Sequence, residues 1–184
     1  MKESEITTPG GVAPEKKSEI TILDGATGTM LQAAGLPLGE LPELWNITHP
    51  EVVSGISRQY IDAGSQIVYA NTFGVNRFKS AKCGHSVAEL IEAGVRCAKK
   101  AAEGTHARVA LDVGPLGQLL EPLGTMSFEE AYDAFREIVT AGEKAGADLV
   151  TIETMSDLYE VKAAVLAVKE NTNLPVWVTM TFEA

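Results

Sequence analysis

Short apolar runs recur along the chain from residue 20 onward, at 20–23, 66–70, 107–111, 147–152 and 176–180. Each is brief, mostly β-branched and not strictly alternating, the pattern of strands buried on both faces. Between the runs the apolar positions take up helical spacing. Val53, Ile56 and Tyr60 recur at three and four residues, as do Val87, Leu90 or Ile91, Gly94 and Ala98. Phe128, Ala131, Phe135 and Ile138 do the same, and so do Leu158, Val161, Val165 and Val168. Capping-box pairs stand at three helix starts, Thr48 with Glu51, Ser86 with Glu89 and Ser127 with Glu130, and Asp157 serves as cap of the fourth helix. Gly64, Gly104 and Gly146 fall where a left-handed residue ends a helix before the next strand. The predicted order is therefore five strands alternating with four helices, and right-handed crossovers make the strands parallel.

An internal echo supports a repeated βα unit. Residues 63–72 (AGSQIVYANT) match 145–154 (AGADLVTIET) in pattern: helix end, glycine, buried strand, one polar residue, threonine. Such a repeat suits an α/β fold, either a (β/α)8 barrel or a doubly wound sheet. The strand ends favour the barrel. Asp24, Asn71, Asp112 and Glu153 finish four of the five runs, and in a barrel those ends converge on one mouth. The first turn, Asp24-Gly25-Ala26-Thr27-Gly28-Thr29, carries neither a dinucleotide fingerprint nor a phosphate-loop lysine. Its glycines instead let backbone N–H groups approach an anion such as a carboxylate, and Thr27 and Thr29 add hydroxyls. Asp112 is the weakest of the strand-end set, because Asp-Val-Gly-Pro also reads as a turn former.

Composition narrows the setting. The 184 residues are 45% hydrophobic and 22% charged, those of an ordinary globular chain. A formal net charge of −10, from 15 Lys plus Arg against 25 Asp plus Glu, argues against nucleic acid or an anionic membrane surface as partner. No apolar run approaches the roughly 20 residues of a membrane span, and the N-terminus lacks the build of a secretory signal. Cys83 and Cys97 have neither disulfide-framework nor metal-knuckle spacing and read as idle thiols, while His49, His85 and His106 read as surface residues. A reducing, cytoplasmic setting is expected. Residues 1–19, rich in charge, Thr, Gly and Pro, read as a mobile tail ahead of a domain at 20–184.

The quoted residues resemble the homocysteine S-methyltransferase domain family. The likeness is carried by Leu23-Asp24-Gly25-Ala26-Thr27-Gly28-Thr29, by Pro42-Glu43-Leu44-Trp45-Asn46 and by His49-Pro50-Glu51-Val52-Val53. It continues through Ala70-Asn71-Thr72-Phe73-Gly74-Val75-Asn76, Gly114-Pro115-Leu116-Gly117 and Glu153-Thr154-Met155-Ser156-Asp157. The pattern is closest to the cobalamin-dependent, methionine-forming branch; betaine-dependent relatives share the skeleton with different loops. The resemblance implies a (β/α)8 TIM barrel of which the chain holds about the first five strands and four helices. It implies L-homocysteine as ligand, its amino group received by Asp24 and Glu153, its carboxylate held at the Ala26–Thr27 turn, and Asn71 lining the pocket. It also implies a Zn²⁺ that keeps the homocysteine sulfur deprotonated, held by three thiolates that have no counterpart in this chain, and methylcobalamin and methyltetrahydrofolate on other modules. An open sheet of this kind exposes strand edges, so the missing C-terminal part of the barrel is an expected partner. Two other readings stay open: a non-catalytic module that binds an amino acid or completes a partner barrel, and an unrelated barrel enzyme with Asp24 and Glu153 as acid and base.

Overall fold

The computed structural model describes residues 20–81 and 83–182, so the tail expected at 1–19 lies outside the described residues. Four parallel strands form one sheet in the order β1 (Ile67–Tyr69), β2 (Arg108–Val113), β3 (Leu149–Met155), β4 (Val176–Met180). The register pairs Val68 with Val109, Leu111 with Val150 and Ile152 with Val178. Ahead of the sheet come α1 (Thr27–Ala33), a 3-10 turn (Pro42–Leu44), α2 (Trp45–Thr48) and α3 (Pro50–Asp62). A short α4 (Arg77–Ser80) and the long α5 (Val87–Ala102) join β1 to β2, α6 (Phe128–Ala145) joins β2 to β3, and α7 (Leu158–Asn171) joins β3 to β4.

The expected first strand is a correction. Residue Leu23 makes only an isolated parallel bridge to Ile67, supported by Asp24 N–H to the Ile67 carbonyl at 3.1 Å and Gln66 N–H to the Ile22 carbonyl at 2.8 Å. This segment has a neighbour on one side alone, and Ile20 and Ile22 stay exposed. A lone flank with little to bury does not hold a regular ladder.

The long helices begin and end as their spacing predicts. Ser86 and Ser127 each accept an N–H from the glutamate three residues on, and that glutamate reaches back to the serine N–H. Asp157 accepts from the Tyr159 N–H and caps α7. Gly146 ends α6 in the left-handed region at φ 91°, and Gly64 and Gly104 also take positive φ. The Thr48–Glu51 box does not form. Pro50 takes the first position of α3, so His49 becomes the cap. The Thr48 hydroxyl turns back to the Leu44 carbonyl at 3.2 Å, and Glu51 pairs with Lys100 at 2.8 Å.

Alternation along the strands sorts residues between two faces. Val68, Val109, Leu111, Val113, Val150 and Ile152 pack outward with apolar residues of α5, α6 and α7 in the main core. Ile67, Ala110 and Leu149 form a smaller cluster on the inner face, with Leu23 and Tyr69 against it. Asp112 and Thr151 share the inner parity of Ala110 and Leu149. A third cluster, Leu31, Leu36, Trp45, Val53, Ile56 and Cys97, fixes the N-terminal helices to α5.

Candidate functional site

The carboxyl ends of the strands open into a cleft of about 450 Å³ lined by Asp24, the Gly25–Gly28 turn, Pro42, Glu43, Tyr69, Ala70, Asn71, Phe73, Asp112 and Glu153. All five residues expected to bind a ligand, Asp24, Ala26, Thr27, Asn71 and Glu153, line this one space. Asp112, the weakest of the strand-end set, lines it too.

Each side chain has a local cause for its place. Asp24 follows the Leu23 bridge, and its Oδ2 accepts the Tyr69 N–H at 2.9 Å, tying the first turn to the end of β1. Burial pushes its carboxyl up to about 6, even though that N–H pulls the other way. The Ala26 carbonyl accepts the Tyr60 hydroxyl at 3.2 Å, which holds the turn from outside. No side chain caps α1, so the N–H groups of its first turn are free of side-chain partners.

Asn71 is locked by its neighbours. Its Nδ2 donates to the Pro42 carbonyl at 3.0 Å and to Asn46 Oδ1 at 2.9 Å, while Asn46 Nδ2 donates to the Asn71 carbonyl at 2.7 Å. Both amide hydrogens are thereby committed, and the group left to the cleft is the Oδ1 acceptor. Gly94 on α5 explains how a helix comes so close. A Cβ there would lie 2.7 Å from Thr72 Cγ2, 2.9 Å from Asn46 Nδ2 and 3.1 Å from the Asn71 carbonyl.

Glu153 keeps the inner parity of Leu149 and Thr151, and a bulge follows it. Between Ile152 and Met155 β3 slips against β4, which inserts one extra residue. Thr154 sits there at φ 60°, its N–H on Thr179 Oγ1 at 3.2 Å. Strand parity therefore resets after Glu153, which lines the cleft, and Met155 joins the helix-side core. Burial raises the Glu153 carboxyl above its ordinary range.

Sequence reasoning assigned no site role to Glu43, Tyr69 or Phe73. Glu43 is almost fully buried on the 3-10 turn, and its Oε1 accepts the Gly74 N–H. Burial raises its carboxyl. Burial, with Glu153, Asp112 and Asp24 adding to it, pushes the Tyr69 phenol up to about 12, so it stays a neutral donor. A carboxylate inside the quoted Pro-Glu-Leu-Trp-Asn stretch was the available signal for Glu43, but only the fold shows that it is buried.

The cleft gathers acceptors, and no Lys, Arg or His is among its lining residues. It offers carboxylates and Asn71 Oδ1, together with the first-turn backbone N–H groups of α1, which no side chain caps. That is the complement of an amino acid zwitterion. It is not a thiolate metal centre. Cys97 is buried against Asn46, its Sγ 3.6 Å from that carbonyl, Cys83 bonds the Ser80 carbonyl, and neither lines the cleft. Among the described residues no group of three or more His, Cys, Asp or Glu is arranged to hold a metal ion. The zinc implied by the resemblance therefore does not fit the described residues. Nor is any described helix long and apolar enough to cross a membrane.

Comparison with known proteins gives a consistent result. Over residues 21–184 the chain matches the family described as homocysteine S-methyltransferase. It is 33% identical over 182 residues to the methionine synthase of Mycobacterium leprae (strain TN), covering 89% of this chain and 15% of that protein. With the methionine synthase of Mycobacterium tuberculosis (strain ATCC 25618 / H37Rv) it is 32% identical over 181 residues, again 89% of this chain and 15% of the relative. The metallated form of the homocysteine methyltransferase MmuM from Escherichia coli superposes with a TM-score of 0.81 at 27% identity, covering 91% of this chain and 65% of that one. The apo form of the same protein gives a TM-score of 0.72. The chain thus spans a minor part of the curated relatives it matches, and its parallel α/β architecture is that of a partial TIM barrel. This chain belongs to the homocysteine S-methyltransferase family.

Proposed function

We propose that this chain supplies the amino-acid pocket of an enzyme that transfers a methyl group to homocysteine, giving methionine. The observation that carries the reading is the single cleft in which Asp24, Asn71 and Glu153 face the Gly25–Gly28 turn. Asp24 and Glu153 receive the ligand's ammonium, and the backbone N–H groups at Ala26–Thr27 receive its carboxylate. Two anchored ends orient the side chain between them, which is the positioning a transfer to sulfur needs. Phe73 and the inner face of the sheet shield it from water. Zinc, methylcobalamin and methyltetrahydrofolate would act from parts of such an enzyme for which the described residues hold no site. The further strands of a whole barrel are the partner that would close this pocket.

Calorimetric titration of the chain with L-homocysteine tests the reading. Binding is expected without added metal, and Glu153→Gln should weaken it by about tenfold, the loss of one charge-assisted contact. Unchanged affinity in Glu153→Gln and Asp24→Asn would overturn the reading.

A further inference from the structure

Most buried polar atoms in a folded protein have a partner, and those that lack one call for an explanation. Three such atoms here are carboxyl oxygens of the same cleft: Asp24 Oδ1, Glu43 Oε2 and Asp112 Oδ1. Asp24 and Glu43 each use their other oxygen on a backbone N–H. Asp112 does not. Its main chain is satisfied by Thr72, whose hydroxyl donates to the Asp112 carbonyl at 2.8 Å and lies 3.1 Å from the Asp112 N–H. Among the described residues its Oδ1 has no hydrogen-bond partner, although the residue is only 7% exposed. The register of β2 aims it inward, on the parity of Ala110.

We propose that Asp112 is a third receiver of the ligand's ammonium and gives up a proton to bulk water as the ammonium enters. The proposal rests on the reading of the cleft as an amino-acid pocket and adds a residue and a proton to it. In the free chain the Asp112 carboxyl is held well above its ordinary range. Burial favours the neutral acid, and the groups that face it all push the same way: Glu153 from β3, Asp24 ahead of α1 and Glu43 on the 3-10 turn. Tyr69 on β1 is neutral and offers no counter-charge. Among the described residues no cationic side chain lines the space. An entering ammonium supplies the missing positive charge and up to three N–H donors for the orphaned oxygens. The balance is simple: the Asp112 O–H bond breaks, the proton leaves to solvent, and a carboxylate faces R–NH₃⁺. A ligand without an ammonium gains nothing from Asp112.

Titrations near neutral pH in two buffers of different ionisation heat measure the protons released. The ligands are L-homocysteine, L-methionine and 4-sulfanylbutanoate, the last lacking the amino group. The wild-type chain should release protons on binding either amino acid. Asp112→Asn should release fewer and bind them about tenfold more weakly, with affinity for 4-sulfanylbutanoate unchanged. Because Asp112 Oδ1 has no hydrogen-bond partner among the described residues, the amide should leave the far-ultraviolet circular dichroism unaltered. Wild-type affinity and proton release in Asp112→Asn overturn the proposal and leave the homocysteine reading intact. Proton-linked binding of methionine but not homocysteine, lost in Asp112→Asn, upholds the proposal and removes homocysteine. Binding of no amino acid at any pH overturns both.

Discussion

Strands β2 and β4 are written in similar residues and live in different surroundings. Residues 108–113 read RVALDV and 176–180 read VWVTM, both apolar and rich in valine. In β2 every residue after Arg108 is buried, because β1 and β3 flank it and helices cover its outer face. In β4 the three central residues are exposed, since β3 alone pairs with it. Trp177 is 38% and Val178 39% exposed. A sequence reading as a strand buried on both faces states what the strand requires. Whether the requirement is met depends on neighbours. The other flank, at Ile20–Leu23, shows the same shortage by failing to form a ladder at all.

The comparison can be broken by mutation. Leu111 is fully buried in the main core, so Leu111→Ala should cost about 2–5 kcal/mol, against under about 1 kcal/mol for Val178→Ala, both read from urea unfolding. Equal losses would mean that β4 is covered in solution by something outside the described chain, and the contrast would collapse.

A smaller effect belongs to the other edge. Asp24 has its carboxyl raised to about 6 in the fold. A raised acid favours folding in its neutral form, so the cost of ionising it grows as pH climbs from about 4 to about 6 and is constant above. Asp24→Asn should therefore stabilise the ligand-free chain near pH 7–8, by about 1 kcal/mol once partial solvent exposure is allowed for, and the gain should vanish toward pH 4. Melting temperatures of both chains across that range check the sign.

The caps sharpen the contrast at its finest scale. Ser86→Ala and Ser127→Ala each remove a formed capping box, an expected loss of about 1 kcal/mol. Thr48→Ala removes a box that never formed and should cost less than either. Urea midpoints of the three variants rank them.

These cases mark how far the sequence could be read. The helices at 87–102, 128–145 and 158–171 were legible because their signals are local: period, cap and left-handed glycine lie within a few residues of each other. The Thr48 box was misread because Pro50 competes for the same helix start. Asp24, Asn71 and Glu153 were legible as strand ends. Glu43 was not, because a glutamate is ordinarily exposed and only the docking of the 3-10 turn onto the Gly74 loop buries it. Asp112 is the weakest of the strand-end set in sequence, because its neighbours also read as a turn, and the inner face of β2 is what distinguishes it.

The sequence by itself determined the alternation of strands and helices, the acidic surface, and the family, because periodicity, charge and motif are properties of the chain taken in order. Only the tertiary structure decided which carboxyls meet. The bulge at Glu153–Thr154, the committed amide of Asn71 and the unpartnered oxygen of Asp112 all arise from contacts between segments distant in sequence. Burial and the local field depend on those contacts, and with them the protonation that sets the chemistry of the cleft.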